Sequence, residues 1–241
     1  MDNRSHVAVP GKRVQRIIYG LFTDYLRMIC LIFATGFDSG NFNWEASGKF
    51  PELTTPDESY HGIVYTETFG KNAYITKCKA QLMRDLGSIP APQNSFLLNM
   101  NLETLHLRMP QHYNNALKVA KFLQESDKIE WVSFPKLEGD SQYERAEKYL
   151  PDGCSGVISF GVSGGRDGAV KFMEALKLAN IEVHVADSHT CVLHPASTTH
   201  RQLTDEQLEA AGIGANMIRM SVGIENAEDI IEDIKGALAA L

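Results

Sequence analysis

The second half of the sequence predicts an α/β protein, and three observations predict it. Apolar runs of strand character alternate with amphipathic helical stretches from about residue 111 onward. Glycine, proline and capping residues mark nearly every change of period. The 241 residues are 44% hydrophobic and 22% charged, enough for a packed core and incompatible with a disordered chain.

Residues 1–37 differ from the rest of the chain. Lys12, Arg13 and Arg16 precede Ile17 to Phe37, a run rich in Ile, Leu, Phe and Tyr. Basic residues before an apolar run can mark a signal or a membrane anchor. Asp24 and Arg27 argue against that, since each would cost on the order of 2.5–3.5 kcal/mol at a bilayer centre. An amphipathic helix is expected instead, and no membrane span.

Residues 38–70 read as turns around aromatic anchors, in Asp38-Ser39-Gly40-Asn41-Phe42-Asn43-Trp44 and Gly48-Lys49-Phe50-Pro51. Ala73–Leu86 has helical period, with Tyr74, Lys77, Ala80, Gln81 and Arg84 on one face and Gly87 as terminator. A further helix starts near Pro92 and runs on past a break at Pro110 to Gln124. Strands are expected at Ile129–Phe134, Gly156–Val162, Ile181–Ala186, Cys191–His194 and Met217–Val222. Helices are expected at Tyr143–Leu150, Arg166–Leu178, from the capping box Thr204–Gln207 to Ala211, and after the cap Asn226. That last helix turns Ile230, Ile231, Ile234 and Leu238 inward.

The net charge is −7 with no basic stripe, which excludes a nucleic-acid surface. Cys30, Cys78, Cys154 and Cys191 are widely spaced without a C-x-x-C pair. They read as reduced thiols of a cytoplasmic protein, not as a zinc site. His184, His189, His194 and His200, with Asp187, lack ligand spacing, so no metal is expected. Gly161-Val162-Ser163-Gly164-Gly165-Arg166-Asp167-Gly168 joins a strand to a helix but matches neither phosphate-loop pattern. It reads as a plain turn.

The most informative run is Leu193–Leu203, which carries hydroxyls, two imidazoles and a guanidinium between apolar segments. Close behind it, Arg219 interrupts the apolar strand Met217–Val222. A buried guanidinium needs an anion or a route to water. It either grips a carboxylate ligand in a bidentate pair or bridges to a local acid such as Glu225. Spacing does not choose between them.

From Asp38 to Leu241 the chain closely resembles the pyridoxal-phosphate-dependent Cys/Met metabolism family, and within it the O-acetylhomoserine sulfhydrylases. The residues that carry this are the Asp38–Trp44 run, Phe50-Pro51-Glu52-Leu53, Tyr60-His61-Gly62 and Glu103-Thr104-Leu105-His106-Leu107-Arg108-Met109. They continue in His194-Pro195-Ala196-Ser197-Thr198-Thr199-His200 and Ile218-Arg219-Met220-Ser221-Val222-Gly223-Ile224-Glu225. The resemblance implies the C-terminal part of a fold-type I transferase. Its divisions would be an unrelated segment 1–37, the end of the cofactor domain at 38–110, and a complete C-terminal α/β domain at 111–241 with helices on one side of a sheet.

The resemblance also implies the chemistry. In the family, O-acetyl-L-homoserine reacts on pyridoxal 5'-phosphate, acetate leaves, sulfide adds, and homocysteine results. Arg219 would bind the amino-acid carboxylate and Thr190 would sit near it. His194, Ser197 and Thr198 would line the entrance. The family's Ser-x-Thr-Lys motif, which supplies the lysine holding the cofactor, would fall just before Asp38 and is replaced here by residues 1–37. Tyr74-Ile75-Thr76-Lys77 is only a superficial likeness to it. No catalytic residue is therefore assigned, and the cofactor contacts are left unassigned. The chain reads as a truncated sulfhydrylase, an enzyme by family but inactive as an isolated chain, or alternatively as a non-catalytic remnant or interaction module of the same fold. The family's homo-tetramer makes a homo-oligomer the expected assembly.

Overall fold

The computed structural model describes residues 16–25, 29–38, 40–87 and 89–241. Lys12 and Arg13, which precede the expected N-terminal helix, and Arg27 within it lie outside the described residues. Two paired strands, β1 (Arg16–Tyr25) and β2 (Ile29–Asp38), stand in the described part of that run instead. The run is rich in Ile, Phe, Tyr and Thr, which favour extended backbone, and that preference wins over the helical reading. Among residues 40–241 the chain forms two compact units, 40–99 and Met100–Leu241.

The first unit is built of short helices on an aromatic cluster. Asn43 caps α1 (Trp44–Ser47) by accepting the Ala46 N–H at 2.9 Å, and left-handed Gly48 ends it. Helices α2 (Pro51–Thr54) and α3 (Tyr65–Phe69) come next. The expected helix Ala73–Leu86 is one helical run, α4 (Ala73–Lys77) and α5 (Arg84–Leu86), joined by a π-helical stretch at Cys78–Met83. Trp44, Leu53, Tyr65 and Ala73 form the core, with Phe42, Phe50, Ile63 and Tyr74 packed on it. Trp44 makes edge contacts with Phe42 at 4.7 Å and Phe50 at 5.2 Å, and stacks on Tyr74 at 5.8 Å. The helical face read from sequence meets the turn at Asp57–Tyr60. Lys77 pairs with Asp57 at 2.9 Å, Gln81 donates to Ser59, and Arg84 lies over the Tyr60 ring.

Helix α6 (Pro92–Glu103) buries none of its residues. The expected break at Pro110 falls instead at Thr104, and Pro110 sits inside α7 (Leu105–Gln124). Its missing N–H costs α7 one bond, to the His106 carbonyl, yet the helix runs on through the ring.

The second unit continues with β3 (Ile129–Ser133), α8 (Tyr143–Tyr149), β4 (Val157–Val162), α9 (Gly165–Ala175) and β5 (Asn180–Ile181). Then come β6 (Cys191–Leu193), α10 (Asp205–Ala210), β7 (Met217–Ser221) and α11 (Ala227–Ala239). The sheet order is β3-β4-β7-β6-β5, antiparallel except for the parallel pair β5/β6. Ile158 and Phe160 of β4, Val192 of β6, and Ile218 and Met220 of β7 form one buried core with Val119 and Leu123 of α7, Phe172 of α9, and Ile230 and Ile234 of α11. Burying each such side chain contributes about 1.5–3 kcal/mol.

Two element ends differ from the sequence reading. Helix α9 stops at Ala175 instead of Leu178, because Asp233 on α11 accepts the backbone N–H groups of Lys177, Leu178 and Ala179 at 2.7, 3.0 and 3.0 Å. Those donors are thereby satisfied outside a helix. Strand β5 stops at Ile181 instead of Ala186. Only Asn180 and Ile181 pair with β6, and Ala186, at φ = 60°, leaves the extended region altogether.

Candidate functional site

Arg219 owes its position to the period of β7. Ile218 and Met220 enter the helix-covered core, so Arg219 stands on the opposite face of the sheet. Its cross-strand neighbours are Ser159 on β4 and Leu193 on β6. The guanidinium donates from Nη2 to the Val183 carbonyl at 2.8 Å. Its Nε is buried and has no hydrogen-bond partner among the described residues. Burial lowers the arginine's pKa.

Geometry decides against the alternative of a bridge to Glu225. The Glu225 carboxylate accepts the Thr190 N–H at 2.6 Å and the Thr190 hydroxyl at 3.0 Å. Among the described residues no carboxylate pairs with Arg219.

The other four site residues fall at the two ends of β6. Thr190, fully buried, precedes the strand. Its hydroxyl also accepts the Gly223 N–H at 3.0 Å, so it is engaged as donor and acceptor. His194 comes after the strand, just past the residue opposite Arg219, and opens a tight turn at Pro195–Ser197. Its Nε2 lies 2.8 Å from the Ala215 carbonyl, so Nε2 carries the proton and Nδ1 accepts from the Ser197 hydroxyl at 2.8 Å. Burial lowers its pKa. Thr198 donates to the His194 carbonyl at 2.7 Å. Arg166 braces this turn from α9, donating to the Ala196 carbonyl at 2.8 Å and pairing with Asp205 of α10. The structure thus brings the His194 turn beside Arg219. Thr190 stands three residues from Leu193, the residue opposite Arg219, roughly 10 Å along the strand, and is tied to Glu225.

Three features of the site escaped the sequence reading. They are the Val183 carbonyl, the Ser221 hydroxyl that accepts the Ala186 N–H at 2.9 Å, and the pair His112 and Asn115 on α7. Asn115 donates to the carbonyls of Gly223 at 3.0 Å and Glu225 at 2.7 Å, and His112 Nδ1 meets the Val222 carbonyl at 2.7 Å. A signal was present. Both are polar residues on the face of α7 that Ala116, Val119 and Ala120 turn inward.

The glycine loop serves packing. Gly164 and Gly165 have φ of 86° and 62°, and a Cβ at Gly168 would stand 2.0 Å from the Ser163 carbonyl. The histidines divide. His194 is committed as above, while His184 lies with Glu182 and Asp187, their ligand atoms within 4.8 Å of one another. Asp187 also accepts the His189 N–H at 2.8 Å. Cys78, Cys154 and Cys191 are thiols, not disulfides, and burial pushes Cys154 up to about 11, leaving it protonated at neutral pH.

A model of the Cys/Met metabolism PLP-dependent enzymes matches residues 58–239, most of the chain. The chain belongs to this family. It is 48% identical over 202 residues to a homocysteine synthase of Schizosaccharomyces pombe, covering 83% of this chain and 47% of that one. It is 43% identical over 210 residues to an O-acetyl-L-homoserine sulfhydrylase of Leptospira meyeri, with coverage of 83% and 47%. The chain spans about half the length of these curated relatives. It also superposes on the crystal structure of an O-acetylhomoserine (thiol)-lyase from Campylobacter jejuni with a TM-score of 0.71 at 37% identity, covering 78% of this chain and 45% of that one. That structure contains an N'-pyridoxyl-lysine-5'-monophosphate residue. The fold is accordingly the C-terminal part of a fold-type I PLP-dependent transferase, and PLP is the cofactor of the family. No helix of the described residues is long and apolar enough to cross a membrane.

The described residues fit one side of such a site. Arg219 offers an anion receptor, but the one buried lysine among the described residues is committed to an acid. The best-buried lysine, Lys136, is bonded to Glu147 at 2.6 Å, and Lys77 is held by Asp57 over the Tyr65 ring. No chemical step is therefore assigned through the cofactor to these residues.

Proposed function

We propose that this chain supplies the amino-acid-binding side of a sulfhydrylase site, for the reaction of O-acetyl-L-homoserine with sulfide to give homocysteine and acetate. One observation carries the reading. Arg219 stands in the family-matched stretch, half-buried, its Nε without a partner, while the nearest acid in sequence is spent on Thr190. An α-carboxylate provides the missing counterion and the planar pair of acceptors that a guanidinium fits.

In this reading Arg219 holds and orients the carboxylate. The His194–Thr198 turn borders the substrate, with Ser197 as its exposed hydroxyl. Thr190 acts as a brace through its buried bonds. The chain works in the cytoplasm, as its three thiols among the described residues support. The exposed Leu86, Ile89 and Phe96 favour contact with further copies of the chain. Domains at 38–110 and 111–241, after an unrelated 1–37, remain our division. A second reading, an amino-acid-binding module without turnover, is favoured by the commitment of Lys77 and Lys136 to acids.

The test compares two ligands that differ only at the carboxylate. O-acetyl-L-homoserine should saturate the chain in a calorimetric or NMR titration, and its α-carboxamide should not. Equal binding of the two would overturn the assignment of Arg219.

A further inference from the structure

The segment leading into β6 is laced to the exit of β7. The Ala186 N–H donates to Ser221 Oγ at 2.9 Å, and the Ile224 N–H donates to the Ser188 carbonyl at 2.9 Å. The Gly223 N–H donates to Thr190 Oγ1 at 3.0 Å. Glu225 closes the lacing, with one carboxylate oxygen on the Thr190 N–H at 2.6 Å and the other on its hydroxyl at 3.0 Å. At the far end of the same segment, the Val183 carbonyl accepts from Arg219.

Three features make Glu225 decisive within this lacing. It is the charged acceptor, and charge-assisted bonds are about twice as strong as neutral ones. Thr190 is fully buried, so its N–H has no water to turn to if the carboxylate is removed. The carboxylate is itself held on its backbone, because Asn115 of α7 donates to the Glu225 carbonyl at 2.7 Å. The geometry leaves no slack. A Cβ on Gly223 would stand 2.2 Å from Glu225 Oε2 and 2.5 Å from the Ser188 carbonyl.

We propose that Glu225 is a positioning residue for Arg219. By fixing Thr190 it fixes the segment 183–190, whose Val183 carbonyl sets the direction of the guanidinium before any ligand arrives. The inference rests on the reading of Arg219 as carboxylate receptor, and it adds why the acid that sequence places nearest does not quench that arginine.

The test uses the full 241-residue chain with 15N-labelled arginine, in the wild type and in Glu225→Ala, Glu225→Gln, Thr190→Val and Thr190→Ser. The ligand-free Nε–Hε resonance of Arg219 reads the positioning directly. It should move in Glu225→Ala and in Thr190→Val, by similar amounts and without further change in the double variant. It should stay near its wild-type position in Thr190→Ser, which keeps the hydroxyl. O-acetyl-L-homoserine should bind about tenfold more weakly to both displaced variants, a change on the scale of one charge-assisted hydrogen bond. An unmoved Arg219 resonance in a folded Glu225→Ala chain would overturn the inference. If that variant does not fold, an unmoved resonance in a folded Thr190→Val chain overturns it equally. Failure of the wild type to bind the acetylated amino acid strikes the reading of Arg219 instead, and the resonance shifts then decide the role of Glu225 by themselves.

Discussion

Replacing Arg219 with methionine should make the protein more stable and the site useless. The buried Nε has lost its water and found no acceptor, which costs about 1–3 kcal/mol. Against this stands the bond from Nη2 to the Val183 carbonyl. Val183 is 57% exposed, so water replaces the guanidinium there and the loss is about 1 kcal/mol. Methionine keeps the unbranched stem that packs beside Leu193 and removes the charge. The net gain is about 1 kcal/mol, or roughly 2–4 °C in melting temperature for a chain of this size. Differential scanning calorimetry reads it, and titration with O-acetyl-L-homoserine should show binding lost in the same variant. A fall of several degrees would refute the reasoning. It would mean that Arg219 is a structural tie, satisfied by Val183 alone.

Two other outcomes rest on the same physics. Asp233→Ala strips the acceptor from the N–H groups of Lys177, Leu178 and Ala179, so urea melts should show a loss of about 2–3 kcal/mol, while Asp233→Asn, which keeps one acceptor oxygen, should lose less. Stability should also fall in mild acid. Burial lowers the pKa of His112 and His194 below the ordinary 6.5, so the unfolded chain takes up protons first. Their contribution is fully present above pH 6.5 and is lost as pH falls from there through the lowered values, at up to about 1.4 kcal/mol per pH unit for each histidine. Urea midpoints at pH 8 and pH 5.5 check this, and a flat profile would contradict it.

The sequence displays period and punctuation, and those features are what could be read from it. The capping box at Thr204 and Gln207 is present as read, and so is the Asn226 cap of α11 with Ile230 and Ile234 inward. The strands containing Phe160 and Arg219 were legible because buried and unburied residues alternate there. What failed were features set by distant partners. Asp233 ends α9 from about 55 residues away, and nothing local to Leu176 announces it. The helix expected over the N-terminal apolar run gave way to strands because β-branched and aromatic residues suit either period. At the site, Arg219 stood out because a charge in an apolar strand demands an explanation. Glu225 was legible only as a nearby acid, since its bond to Thr190 depends on the pairing of Cys191 with Ser221, which brings Thr190 alongside. The resemblance to the family supplied what spacing could not, and most of the chain matches that family.

The alternation of β7 has one more consequence. A slip of one residue in its pairing with β4 or β6 would send Arg219 among the helices and turn Ile218 and Met220 outward. Such a chain would strand a charge in oil and wet two core side chains at once, so it could not persist as a folded by-product. The ligand-facing group and the core therefore share a single error check: any copy of this unit that folds has its arginine on the correct side.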